Sequence, residues 1–269
     1  MNEPDSEAPI PPTLYLGMDG TGLPMRGNEV QGRAGKQPDG SSKTREAKLC
    51  TVWSVQKRDH QGRPVRDAGS VTYTAAIESA ATRDTDHRLS DFALRVEREA
   101  KRRHFDRARR QVVLGDGAKE LFPHAIQIVD RYHAKERLHE LSKLIYTEAD
   151  SAHQWAQQRC EELDAGDIDA ILCALAPHTG SSAEAQKGSR YFQENRHRMR
   201  YALFRAQALC TSTGVLEAGC KNTIGARLKR SGMHWSVPGA NAIMALRCAR
   251  LSRRFENFWE SRADLETAA

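Results

Sequence analysis

The chain has 269 residues, enough for one large domain or two small ones. Hydrophobic residues make up 39% and charged residues 28%, as in ordinary globular proteins. No apolar run approaches the roughly 18–20 residues that span a bilayer, and the acidic, Pro-rich start MNEPDSEAPIPP is no secretory signal, so a cytoplasmic protein without a membrane partner is expected.

Six cysteines, at 50, 160, 173, 210, 220 and 248, form no CxxC pair, and none stands at zinc-ligand spacing from a histidine. Reduced, buried thiols are therefore expected. The net charge is +6 and the pI about 9.1. The balance alone says little, but the basic residues gather. One group lies between Arg95 and Arg110, a second is Arg227, Lys229 and Arg230, and a third is Arg247, Arg250, Arg253 and Arg254. Clusters on several elements suit a polyanion that runs across a surface.

In chain order, residues 1–12 read as a disordered leader. Leu14 to Asp19 reads as a short buried strand ending in a carboxylate and broken by Gly20 and Gly22. Gly27 to Lys43 is a long Gly-rich loop with Arg33, Lys36 and Lys43, preceded by Arg26. Lys48–Val55 and Ser70–Ile77, rich in Val, Thr and Tyr, predict two more strands, and the first three form an antiparallel meander. Ser90–Arg110 predicts a helix capped by Ser90, with Leu89, Phe92, Ala93, Val96 and Ala100 as its apolar stripe. Gln111–Asp116 and Ala125–Asp130 predict a fourth and a fifth strand, both ending in aspartate.

From Ala134 the pattern is helical. Leu138, Leu141, Leu144 and Ile145 mark one helix, and Ile168, Ile171, Leu172 and Leu175 another, stopped by Pro177. His178–Gly188 reads as a loop, Tyr191–Leu209 as a third helix, Leu216–Lys229 as a fourth and Asn241–Trp259 as the last.

Turns favour aspartate through local hydrogen bonds, so one strand-end Asp means little. Asp19 and Asp116 each have glycine beside them, which lets a bulky ligand approach. Two carboxylates from adjacent strands and a third from elsewhere can hold two divalent cations roughly 3.5–4 Å apart for in-line phosphodiester displacement. Hard oxygen ligands suit Mg²⁺ or Mn²⁺. A meander, a helix and then a central strand with the second aspartate is the order of an α/β, RNase H-like mixed sheet.

Several stretches resemble the ISKra-type insertion-sequence transposases, a bacterial DDE branch related to the Mutator group. They are YLGMDGTG at 15–22, KTREAKLCTVW at 43–53, VLGDGA at 113–118, AIQIVDRYHAKERL at 125–138, YFQENRHRMRYALFRAQAL at 191–209, GVLEAGCKNTIGARLKRSGMHWSVPGANAIMALR at 214–247 and FENFWESR at 255–262. The long block at 214–247 is the most specific. The resemblance implies a metal-dependent DNA transposase with Asp19, Asp116 and Glu217 as catalytic metal ligands for two Mg²⁺ or Mn²⁺ ions. Asp130 and His133 match its DxxH signature as accessory residues.

Lys221, Arg227, Lys229, Arg230 and His234 lie downstream of Glu217 and could meet phosphates of double-stranded DNA. Trp235 could stack on an unpaired base or pack in the core. The enzyme would work as a homo-oligomer on DNA, associated with the nucleoid when bound. The expected division is a core at 13–138, an all-α insertion at 139–212 and a return to the core, with the Glu217 helix, at 213–269.

Two departures from the family follow. Only Lys119–His124 separates the GDGA and AIQIVD blocks, so the parallel crossover is cut to about one turn or the sheet is rearranged. No helix-turn-helix or zinc module precedes Asp19, so the expectation is either an N-terminal truncation or recognition of the element ends from elsewhere. An RNase H-like nuclease without strand transfer, or an inactive DNA-binding remnant, would share these residues, whereas a purely helical structural protein would lack a sheet in 14–130.

Overall fold

A computed structural model describes residues 9–77, 91–115, 121–180, 182–257 and 259–260. Leu89, Ser90 and Asp116, named above, lie outside the described residues, as do most of the leader and the last nine residues.

The centre is a five-stranded mixed sheet. β1 (Thr13–Pro24) pairs antiparallel with β2 (Thr44–Ser54) over its whole length, from Leu14↔Ser54 to Pro24↔Thr44. Between these strands lie a one-turn helix α1 (Gly27–Val30) and a bridge from Ala34 to Ser41. A small ribbon, β3 (Lys57–Arg58) with β4 (Pro64–Val65), leads to β5 (Thr72–Ile77), which pairs antiparallel with β2. After α2 (Asp91–Arg102), β6 (Arg110–Leu114) lies parallel to β1, and β7 (Ile126–Ile128) parallel to β6. The order is β5-β2-β1-β6-β7, compatible with an RNase H-like fold and with the predicted meander.

Some predicted boundaries move. β1 does not break at Gly20 and Gly22, because β2 continues opposite both. The second helix stops at Arg102 rather than Arg110, where His104 takes a left-handed conformation (φ 52°) before a short 3₁₀ turn. The leader is tied down before residue 13. Ile10 packs on the core, and the Pro12 carbonyl accepts the Arg110 N–H.

The sheet has two covered faces. Even-numbered β1 residues Leu14 and Leu16, with Cys50, Val52 and Val113, pack against Phe92, Val96 and Ala100 of α2. Period-2 alternation turns the odd-numbered ones the other way. There Tyr15 stacks on Trp53, ring centroids 5.3 Å apart, and both join a cluster with the helices that follow β7.

Those helices are α3 (Arg131–Ile145), α4 (Ala149–Ala165), α5 (Ile168–Leu175), α6 (Ala183–Asn195) and α7 (Tyr201–Ala206). α3 crosses the expected 138/139 boundary without a break. The predicted Tyr191–Leu209 helix is two helices parted at 196–200, and the expected loop before it already contains the start of α6, capped by Ser182. Leu144 is exposed rather than part of the apolar seam.

The chain then returns to the sheet through α8 (Gly214–Cys220), a π-helical turn (Lys221–Gly225), α9 (Ala226–Leu228) and α10 (Val237–Leu251). Leu23, Leu49, Tyr73 and Ala75 of the sheet meet Cys220, Ile224, Leu228 and Met244 in a further cluster. α10 begins before Asn241 and ends at Leu251, and Arg253 turns left-handed (φ 59°) beyond it. Among the described residues, no helix is long and apolar enough to cross a membrane.

Candidate active site at the end of the central strand

The pairing of β1 with β6 ends at Gly17↔Leu114, while β1 runs on beside β2 alone. Asp19 therefore sits just past the carboxyl end of a parallel strand pair, where open α/β sheets present groups to ligands. It is partly exposed, and the Gly20 N–H donates to its Oδ1 at 2.7 Å. Its odd-numbered position turns it toward α8. Cys220 of α8 lies near it, and burial, with the neighbouring Asp19 carboxylate second, pushes the thiol pKa well above its usual range.

What holds α8 against β1 is apolar contact. Leu216 is fully buried, worth about 1.5–3 kcal/mol. It lies so close to Gly17 that a Cβ there would come within 2.7 Å of Leu216 Cδ1. Leu216 and Cys220 are one turn apart and both face the sheet, which sets the phase of the helix. Glu217 is exposed on its flank, three positions before Cys220, a rise of about 4.5 Å along the axis. Its N–H donates to the Thr213 carbonyl at 3.0 Å in the first turn. α8, which carries Glu217, thus packs on the strand that carries Asp19, from a distant part of the chain.

Asp116 lies outside the described residues, but the residue before it is placed. Gly115 leaves β6 at φ 125°, a conformation open to glycine, and a Cβ there would lie 3.1 Å from the Met18 carbonyl. Arg198, buried in the helical layer, donates to the Gly115 carbonyl at 2.6 Å. Gly115 therefore lies beside Met18, the residue before Asp19. Among the described residues, no group of three or more His, Cys, Asp or Glu side chains converges as a metal-holding set. Asp19, partly exposed, and Glu217, exposed, each carry hard carboxylate oxygens, the donor type that suits Mg²⁺ or Mn²⁺.

Asp130 is fully buried and caps α3, accepting the N–H groups of Tyr132 (2.6 Å) and His133 (2.9 Å). Its other oxygen accepts the Thr213 N–H, at the entry to α8. His133 is exposed, and the contact that ties it to Asp130 is this backbone one.

Downstream of Glu217, Lys221, Lys229, Arg230 and His234 are exposed. Lys229 reaches Thr21 Oγ1, two residues from Asp19 on the same face of β1. Arg230 donates to the Ala226 carbonyl at 2.9 Å, and His234 Nδ1 lies 3.3 Å from the Met25 carbonyl. Trp235 is partly buried. Its indole N–H donates to the Leu228 carbonyl at 2.9 Å, and Arg227 lies 5.9 Å from its ring centroid. Packing is the role these contacts supply for Trp235.

Four residues have surroundings that escape a reading of the sequence. Cys220 lies near Asp19, and its signal is its place three positions after Glu217. Arg198 looks like one more surface arginine. Arg247, read as part of a polyanion-binding cluster, instead donates to the Asn222 and Thr223 carbonyls in the π-helical turn. Arg254, from the same cluster, is paired with buried Glu99 at 2.9 Å. No protein-family model, curated protein or solved structure matches the chain.

Proposed function

We propose that this chain is the catalytic part of a DDE-type DNA transposase, with Asp19, Asp116 and Glu217 as the acidic triad and 139–212 as a helical insertion before the Glu217 helix. The observation that carries the reading is the seating of α8 on β1. Leu216 rests on Gly17, two residues before Asp19, and Cys220 lies near Asp19, so Glu217 stands on the helix that packs beside the first aspartate. An RNase H-like strand order and a carboxylate beyond a parallel strand pair support it further.

The three carboxylates would hold two Mg²⁺ or Mn²⁺ ions, which when bound stabilise charge on the scissile phosphate and its attacking oxygen. The chain's own residues do the rest. Leu216 and Gly17 fix the helix, and Lys221, Lys229 and Arg230 neutralise backbone phosphates beside the site. The working form is a homo-oligomer on double-stranded DNA.

Asp19→Ala, Asp116→Ala and Glu217→Ala should each lower Mg²⁺-dependent cleavage of duplex DNA by at least about a hundredfold while leaving DNA affinity within about threefold. Glu217→Gln should be as inactive as Glu217→Ala. Full cleavage by any one variant removes that residue from the site. Joining of oligonucleotides with free 3′-hydroxyl ends to a target plasmid separates a transposase from a nuclease that only cuts.

A further inference from the structure

The connection between β1 and β2 is rich in basic residues. It carries Arg26, Arg33, Lys36 and Lys43 against Glu29 and Asp39. The segment from Lys221 to Trp235 carries Lys221, Arg227, Lys229 and Arg230 and no acid at all. Their formal charges together equal the excess of the whole chain, +6. The rest of the protein is thus balanced, and the imbalance is concentrated here.

The two segments are joined into one surface. The Trp235 N–H donates to the Pro24 carbonyl at 3.1 Å, and the Arg26 N–H to the Trp235 carbonyl at 2.9 Å. Glu29, one of the two acids, faces inward, where it accepts the Val237 N–H at 3.1 Å and lies 3.9 Å from Arg45. The other, Asp39, is occupied by Ser41. Arg26, Lys36, Lys43, Lys221, Lys229 and Arg230 are exposed. The surface begins at Thr21, held by Lys229, beside Asp19.

The exposed large apolar side chains of the described residues, such as Leu94, Tyr132, Leu144 and Leu246, all lie elsewhere. A membrane-binding surface combines charge with apolar groups that enter the lipid. This one offers charge alone, which suits phosphates on a hydrated backbone.

We propose that the β1–β2 connection and the 221–235 segment form one continuous track for the backbone of double-stranded DNA, leading duplex away from the Asp19 corner. The proposal rests on the transposase reading only for naming DNA as the polyanion. Arg26, Lys36 and Lys43 then contact phosphates irrespective of base sequence, because nothing in the track offers a fixed bidentate reader for a base edge.

The test is binding of a random-sequence 30-base-pair duplex in EDTA, where no cleavage occurs. The triple variant Arg26→Ser, Lys36→Ser, Lys43→Ser should weaken binding at least tenfold near 0.1 M salt. It should also lower the slope of log affinity against log salt by about 2–3. A charge-matched control, Arg98→Ser, Lys101→Ser, Arg107→Ser, alters α2 and the turn after it, on the opposite face of the sheet, and should bind within about twofold of the parent protein. Equal losses in the two triples, or no loss in the first, overturn the proposal. So does equal affinity of the parent protein for vesicles with phosphatidylserine headgroups. If the track triple loses binding but the parent protein cuts no DNA in Mg²⁺, the track stands and the transposase reading falls. If the track triple binds normally while Asp19→Ala abolishes cleavage, the reverse holds.

Discussion

The carboxylate of Asp130 accepts three backbone N–H groups from two separate stretches of chain, Tyr132 and His133 at the start of α3 and Thr213 just before α8. It is therefore a strut between the helical layer and the helix that carries Glu217. Charge-assisted bonds to backbone N–H are stronger than neutral ones, and losing this acceptor leaves buried donors without a partner. Asp130→Ala should cost about 2–4 kcal/mol in urea unfolding, whereas Tyr132→Ala, at an exposed position, should cost under about 0.5 kcal/mol. A loss for Asp130→Ala as small as that for Tyr132→Ala would deny the strut. In the sequence, Asp19 and Asp130 carry the same sign, an aspartate at the end of an apolar strand. The sequence cannot separate a cap from a ligand, because the difference lies in what the next turn does. After Asp130 the chain enters a helix at once and its free N–H groups claim the carboxylate; after Asp19 it continues as strand.

At the scale of elements, α10 seals the free edge of the sheet. The outward N–H groups of β5 at Tyr73 and Ile77 donate to Ser252 Oγ (2.9 Å) and Asn241 Oδ1 (2.8 Å), so helix and loop side chains replace a sixth strand. Ser252→Ala would orphan a buried donor, so a loss of about 1–3 kcal/mol is expected. Amide exchange at Tyr73 should speed up at least tenfold while that at Val52, in β2 between β1 and β5, follows the global change only. Unchanged Tyr73 exchange would remove Ser252 from the edge. Strands were the legible elements, since Val, Thr and Tyr at alternating positions mark a half-buried ribbon. Less legible was α4, seventeen residues long, whose buried face is Ala152, Trp155, Ala156, Cys160 and Leu163. Small and mixed residues pack there, so no strong apolar stripe announces it. The π-helical turn after α8 was invisible too, because its extra residue is stabilised by Arg247, more than twenty positions further on.

The whole molecule is three layers that share their cores. Tyr15, Trp53, Leu114 and Ile128 of the sheet lie in one cluster with Leu163, Ile171 and Phe192 of the helical layer, so that layer is no separable module. Calorimetry should give a single unfolding transition with equal van't Hoff and calorimetric enthalpies, and replacing 146–207 by a short linker should abolish it. Two resolved transitions would make the helices an independent unit. The topology also sets a schedule for the ribosome. Leu49, Tyr73 and Ile77 are covered by Ile224, Leu228 and Met244, so a finished three-stranded meander waits while roughly 150 further residues are polymerised, on the order of ten to thirty seconds at ordinary translation rates. Throughout that interval the nascent chain presents an uncovered apolar half-sheet, so chaperone capture during translation should raise the yield of folded protein.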